Sequence, residues 1–114
     1  MTESPRRTIT VYAGSADDLN QVYLDTARAL GQTLAQQGRV LVYGAGKTGL
    51  MGAVADSVLG SGGEVVGVIN DGLNLPHLAH ANLTKLEVLP DIHARQARMN
   101  YLADGIIALP GGFG

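Results

Sequence analysis

The chain has 114 residues, 46% of them hydrophobic and 16% charged, with a formal net charge of −2 and no cysteine. That length suits one domain able to bury roughly two thirds of its unfolded surface, and the composition argues against disorder, disulfides, thiolate metal sites and a cysteine nucleophile. The eight Lys and Arg residues are scattered, which disfavours a nucleic-acid polymer as partner, and no run of ~18 apolar residues spans a membrane.

Met1 to Arg7 is polar, lacks the apolar core of a secretion signal and reads as a flexible lead-in, so a cytoplasmic location is expected. Residues 8–114 read as one Rossmann-like domain. Thr8 to Ala13 is a β-branched and aromatic run, a first strand, that ends at Gly14-Ser15. Ser15 or Asp17 can cap the following helix, whose Leu19, Tyr23, Ala27, Leu30 and Leu34 recur on one face until Gly38. Val40 to Tyr43 is a short apolar strand. It leads into the loop Gly44-Ala45-Gly46-Lys47-Thr48-Gly49 and a small-residue helix from Leu50 to about Gly60, fitted to lie close on the sheet.

Glu64 to Ile69 is a third strand, and Asn70 to Asn82 has no clear period and reads as a loop. Leu83 to Leu89 is a fourth strand, Pro90-Asp91 a turn and cap, and Ile92 to Ala103 a helix with Ile92, Met99 and Leu102 inward. Ile106 to Leu109 is a fifth strand. Strands and helices alternating at this spacing predict an α/β fold: a doubly wound, three-layer parallel sheet that binds ligands beyond its carboxyl edge. Gly14-Ser15, the Gly44 loop, the corner from Pro90 to Arg95 and Pro110-Gly111-Gly112 all fall on that edge.

Gly44-x-Gly46-x-x-Gly49 matches a dinucleotide fingerprint, in which glycines admit a phosphate to the amides of a helix start. It follows the second strand rather than the first, however, and the acidic ribose partner would be Asp71, placed late, so a nicotinamide cofactor is disfavoured. The same glycines also serve a tight turn with close helix packing. An ATP-binding P-loop is excluded because Leu41 stands where its first glycine is required. Arg95 meets the positive end of a helix dipole, at a cost of roughly 0.3–1 kcal/mol if exposed. Either a nearby anion offsets that, or Asp91 pairs with Arg95 at i,i+4 for a few tenths of a kcal/mol. His77 and His80 lack carboxylates at ligand spacing, so no metal is expected; His93 reads as a capping or packing residue. Lys47 and Lys85 give no context for a Schiff-base cofactor.

Val11 to Ser15, Leu41 to Gly52, Asp91 to Arg95 and Ala108 to Gly114 together resemble the LOG family. These are the cytokinin riboside 5′-monophosphate phosphoribohydrolases, long labelled possible lysine decarboxylases. The resemblance covers nearly the whole chain in order. It implies hydrolysis of the N-glycosidic bond of an adenine-type nucleoside 5′-monophosphate, without metal or other cofactor, in a homodimer. It assigns Arg95 as catalytic and gives nucleotide or phosphate contacts to Gly14, Ser15, Gly44, Gly46, Gly49, Met99, Pro110, Gly111, Gly112 and Gly114.

The family motif continues Pro-Gly-Gly-x-Gly-Thr-x-x-Glu, and the Thr and Glu would follow Gly114. The resemblance therefore implies a domain incomplete at its carboxyl end, inactive as these 114 residues. Two positions depart from the family pattern: Gln96 replaces the Lys of an Arg-Lys pair, and His77 replaces an acidic residue. The alternative is a non-catalytic binder, since similar folds with the double-glycine loop carry molybdenum cofactor or sense nucleotides. Lysine decarboxylation fails for want of a pyridoxal-binding lysine.

Overall fold

A computed structural model describes residues 7–12 and 21–109. Five strands form one wholly parallel sheet in the order β4-β3-β2-β1-β5: β1 (Thr8–Tyr12), β2 (Val40–Tyr43), β3 (Glu64–Asn70), β4 (Lys85–Leu89) and β5 (Gly105–Ala108). Three helices, α1 (Gln21–Gln36), α2 (Gly49–Gly60) and α3 (Ile92–Leu102), supply the crossovers that parallel pairing requires. The doubly wound α/β architecture is thus as the alternation of periods predicts.

Side chains alternate across the sheet. Leu41, Tyr43, Val11 and Val65 pack with α1 and α2, whereas Val42 and Val68 pack with Met99 of α3. Burial on both faces explains why β2 reads as an unbroken apolar run. The chain steps outward from β1 through β4, and α3 then carries it back across the sheet to β5, on the other side of β1. The winding direction reverses between β1 and β5, so the crevice at a topological switch point opens at their carboxyl ends.

Several boundaries and faces differ from the sequence expectation. The fourth strand begins at Lys85, two residues late, because the Thr84 hydroxyl accepts the Val65 N–H at 2.9 Å ahead of the ladder. The last strand is Gly105–Ala108, in register with Ile9–Tyr12. In α1 the buried stripe is Ala27, Gly31 and Leu34, flanked by partly buried Leu24 and Leu30, while Tyr23 is 43% exposed. In α3 Met99 is buried and Leu102 partly so, but Ile92, the first helical residue, is 48% exposed. Residues 71–82 contain a short 3-10 turn, Asp71–Leu73, and an isolated bridge between Gly46 and Ala79. Ala13, Ser15, Asp17 and Leu19 lie outside the described residues, and no described helix is long and apolar enough to cross a membrane.

Small residues where α1 and α2 meet set the distance between the two helices. A Cβ on Gly31 would lie 2.6 Å from Ser57 Cβ and 2.7 Å from the Val54 carbonyl oxygen. On the opposite face, Arg98 Nε and Nη2 donate to Glu87 at 2.7 and 3.2 Å, joining α3 to β4. Chiefly through this hydrogen bond, and against a smaller opposing effect of burial, the Glu87 carboxyl is held below its ordinary pKa.

Gly31→Ala is expected to destabilise by about 1–3 kcal/mol in urea unfolding, since backbone must move to admit the methyl. At Gly60 nothing lies within 4 Å, so Gly60→Ala should be neutral or stabilise by up to ~1 kcal/mol. Because folding lowers the Glu87 pKa, its stabilisation is fully present above the unfolded carboxylate value and fades as pH falls through the folded one. Glu87→Gln should therefore lower the urea midpoint at pH 7, with the gap to wild type closing below about pH 4; a pH-independent gap would assign the loss to packing.

Candidate functional site

A cavity of about 410 Å³ opens at the carboxyl ends of β1, β2 and β3. Met51, Ile69, Leu73 and Leu78 give it an apolar wall; Gly44 and Gly46 bring backbone to its surface, and Arg95 supplies its charge. Arg95 reaches the cavity because Asp91 starts α3 there. The Asp91 carboxylate accepts the Ala94 N–H at 2.8 Å, satisfying an amide that the helix start leaves without a partner.

The i,i+4 pair between Asp91 and Arg95 does not form. Asp91 is turned to the helix start, while the arginine side chain runs to the sheet. Its Nε donates to the Val68 carbonyl at 2.9 Å, Nη2 to the Gly44 carbonyl at 2.7 Å and Nη1 to Asn70 Oδ1 at 3.4 Å. All three acceptors are neutral, and among the described residues no carboxylate pairs with Arg95. Burial lowers the Arg95 pKa, yet a guanidinium remains charged in proteins. A half-buried cation satisfied only by dipoles is an electrostatic invitation to an anion, which would gain a charge-assisted hydrogen bond.

Gly44 has a more specific reason to be glycine than phosphate approach: a Cβ there would collide with Arg95 Nη2. The next residue, Ala45, is fully buried at φ 66°, a left-handed conformation costing an L-residue roughly 1–2 kcal/mol. Its position is enforced from several sides. The His80 N–H donates to the Ala45 carbonyl at 2.8 Å, the Lys47 N–H donates to Leu78 at 3.1 Å, and the Tyr43 hydroxyl donates to Gly46 at 2.7 Å. Burial first, and the charge of Asp56 second, push the Tyr43 pKa up, keeping it a neutral donor. Beneath the loop, a Cβ on Gly67 would stand 2.7 Å from Ala45 Cβ.

The structure brings Arg95, Gly44 and Gly46 together at one cavity. Gly49 lies instead on a polar groove of about 560 Å³ between α1 and α2, and Met99 sits in the core beneath α3, where its carbonyl accepts the Thr10 hydroxyl at 3.1 Å. Gly14, Ser15, Pro110, Gly111, Gly112 and Gly114 lie outside the described residues. His93 is exposed and does not cap its helix, Asp91 having that role. Sequence reasoning missed Asn70, whose only signal was its place at the end of an apolar strand. It also missed the contact of His80 Nε2 with Asp56 at 2.6 Å, made between residues 24 apart.

Residues 51–114 match the family model described as "Possible lysine decarboxylase". Among curated proteins, the chain is 42% identical over 109 residues to the cytokinin riboside 5′-monophosphate phosphoribohydrolase of Rhodococcoides fascians, covering 95% of this chain and 55% of that protein. It is 41% identical over 108 residues to the cytokinin riboside 5′-monophosphate phosphoribohydrolase LOG of Oryza sativa subsp. japonica, covering 95% and 45%. The chain thus spans about half the length of the curated relatives it matches. Among solved structures, the molybdenum cofactor binding protein of Rippkaea orientalis superposes with a TM-score of 0.79 at 22% identity, covering 97% of this chain and 66% of that one. The Moco carrier protein of Chlamydomonas reinhardtii gives 0.78 at 21%, covering 95% and 64%. Likeness at that identity is one of fold.

Gly44→Ala should expel the Arg95 guanidinium from its carbonyl acceptors and destabilise by about 1–3 kcal/mol. In a double-mutant cycle by urea unfolding, adding Arg95→Ala should cost less than the sum of the single changes, because the clash is relieved. Additive costs would show that Gly44 does not act through Arg95.

Proposed function

From the premise that the chain belongs to the LOG family, the family described as possible lysine decarboxylase, we propose that it binds an adenine-type nucleoside 5′-monophosphate, as part of an enzyme that hydrolyses its N-glycosidic bond. The observation that carries this reading is the half-buried Arg95 cation, without a carboxylate partner among the described residues, opposite an apolar wall in a single cavity. A purine suits the apolar wall formed by Met51, Ile69, Leu73 and Leu78. The ribose phosphate extends toward the switch point between β1 and β5. Gly14-Ser15 and Pro110-Gly111-Gly112 follow those two strands in sequence, and the family resemblance assigns the phosphate to their amides.

In the hydrolysis the C1′–N9 bond breaks, its electron pair leaves with the purine, and water oxygen bonds to an oxocarbenium-like C1′. Negative charge grows on the departing base, and a guanidinium fixed by Val68, Gly44 and Asn70 is already oriented to favour it without reorganisation. The proton that water loses ends on the departing purine nitrogen; the family resemblance places a glutamate, beyond Gly114, at the ribose, where it stabilises the charge on C1′ and directs the water. A homodimer is the expected assembly of the chain.

The family description does not extend to decarboxylation here. Lys47 Nζ donates to the Pro76 carbonyl at 3.0 Å and Lys85 pairs with Glu87 at 3.6 Å, so neither residue lines the cavity as a Schiff-base lysine would. A molybdenum-cofactor carrier is the second reading, favoured by the shared fold. A pterin presents several hydrogen-bonding edges, however, and the apolar described wall answers few of them.

Calorimetric titration of the 114-residue chain should show AMP binding, weakened at least about tenfold by Arg95→Ala, the loss expected for a charge-assisted hydrogen bond. Arg95→Lys should not restore it, because an ammonium lacks the planar fork whose donors meet the Val68, Asn70 and Gly44 acceptors together. Equal AMP affinity in wild type and Arg95→Ala would refute the assignment.

A further inference from the structure

Residues 71–80 contribute Leu73 and Leu78 to the apolar wall, although each is 40% exposed and the segment has little regular structure. Something must hold such a wall in place. Two backbone hydrogen bonds, from Lys47 to Leu78 and from His80 to Ala45, lay its end along the glycine loop. Two side chains complete the fastening: Lys47 Nζ donates to the Pro76 carbonyl at 3.0 Å, and His80 reaches α2. His80 is 8% exposed, its Nδ1 accepts the Asn82 N–H at 3.0 Å, and this leaves its proton on Nε2, which donates to Asp56 Oδ1 at 2.6 Å. Asp56 belongs to α2 and is itself 66% exposed. A nearly buried ring is thereby spanned between the helix and the loop, with both nitrogens satisfied.

We propose that the His80–Asp56 pair is a positioning device, a latch that holds Leu73 and Leu78 against the cavity and so sets affinity for the base end of the ligand. Neither residue lines the Arg95 cavity; both act through the segment they fasten. Neither residue touches Arg95, whose bonds go to Gly44, Val68 and Asn70, and the phosphate is assigned above to amides that follow β1 and β5. Breaking the latch therefore separates two parts of recognition that a general loss of structure would lower together. The inference rests on the mononucleotide reading above, and two probes keep their failures apart.

The test compares AMP with ribose 5-phosphate, which lacks the base, by calorimetric titration of the 114-residue chain. Asp56→Ala removes an exposed carboxylate and should weaken AMP by about tenfold while leaving ribose 5-phosphate within about twofold. His80→Gln, whose amide nitrogen can replace Nε2 as donor to Asp56, should recover most of the AMP affinity, whereas His80→Ala should not. Amide exchange at Lys47 and His80 should quicken in Asp56→Ala without a matching change in β2. Equal weakening of both probes, or no change in either, would overturn the latch. Failure of wild type to bind either probe would instead overturn the mononucleotide reading, and the latch with it.

Discussion

The site is organised by one half-buried cation at the end of a parallel sheet. Arg95 leaves the first turn of α3 and ties two adjacent strand ends, at Gly44 after β2 and Val68 in β3, through carbonyl oxygens that the ladder leaves available there. Much of the local sequence answers to that demand. Gly44 has no side chain because the guanidinium occupies the space, Asn70 turns an amide oxygen toward it, and Asp91 is occupied with the helix start. An arginine held, among the described residues, by dipoles keeps its charge for whatever enters the cavity, where an ion pair would have neutralised it.

Around that cation the fold spends stability to shape a surface. Ala45 is held left-handed and fully buried, Gly67 vacates the space beneath it, and the Tyr43 hydroxyl braces the turn from within the core. Strain of this kind persists only where neighbours over-determine it, and it concentrates at functional sites. The glycine loop thus has a conformation set by β3 below and by residues 78–80 alongside. Its fingerprint-like spacing serves an arginine and a bridging segment, and Gly49 faces a different groove.

The sheet and its helices were legible because burial on both faces leaves continuous apolar strands such as Val40–Tyr43, each closed by glycine or a polar turn. Faces were less legible. Counting large side chains put Tyr23 and Ile92 inward, whereas the close approach of α1 and α2 is made at Gly31, a residue with no side chain to count, and Ile92 lies at a helix end beyond the core. Arg95 was identified by its place in the chain, but its partners were not. Carbonyl acceptors carry no residue-type signal, and nothing local joins His80 to Asp56. The departures at His77 and Gln96 fall on exposed positions, and nothing in the structure explains them.

The Arg95 side-chain Nε–H resonance offers the most direct measurement, followed by two-dimensional ¹H–¹⁵N NMR as AMP is added. A saturable shift of that resonance, with the Nε–H of Arg98, held by Glu87, unmoved, is the predicted result. An Arg95 signal that stays fixed while amides at the amino-terminal ends of the strands move would contradict the account, because the ligand would then be bound where no cation awaits it.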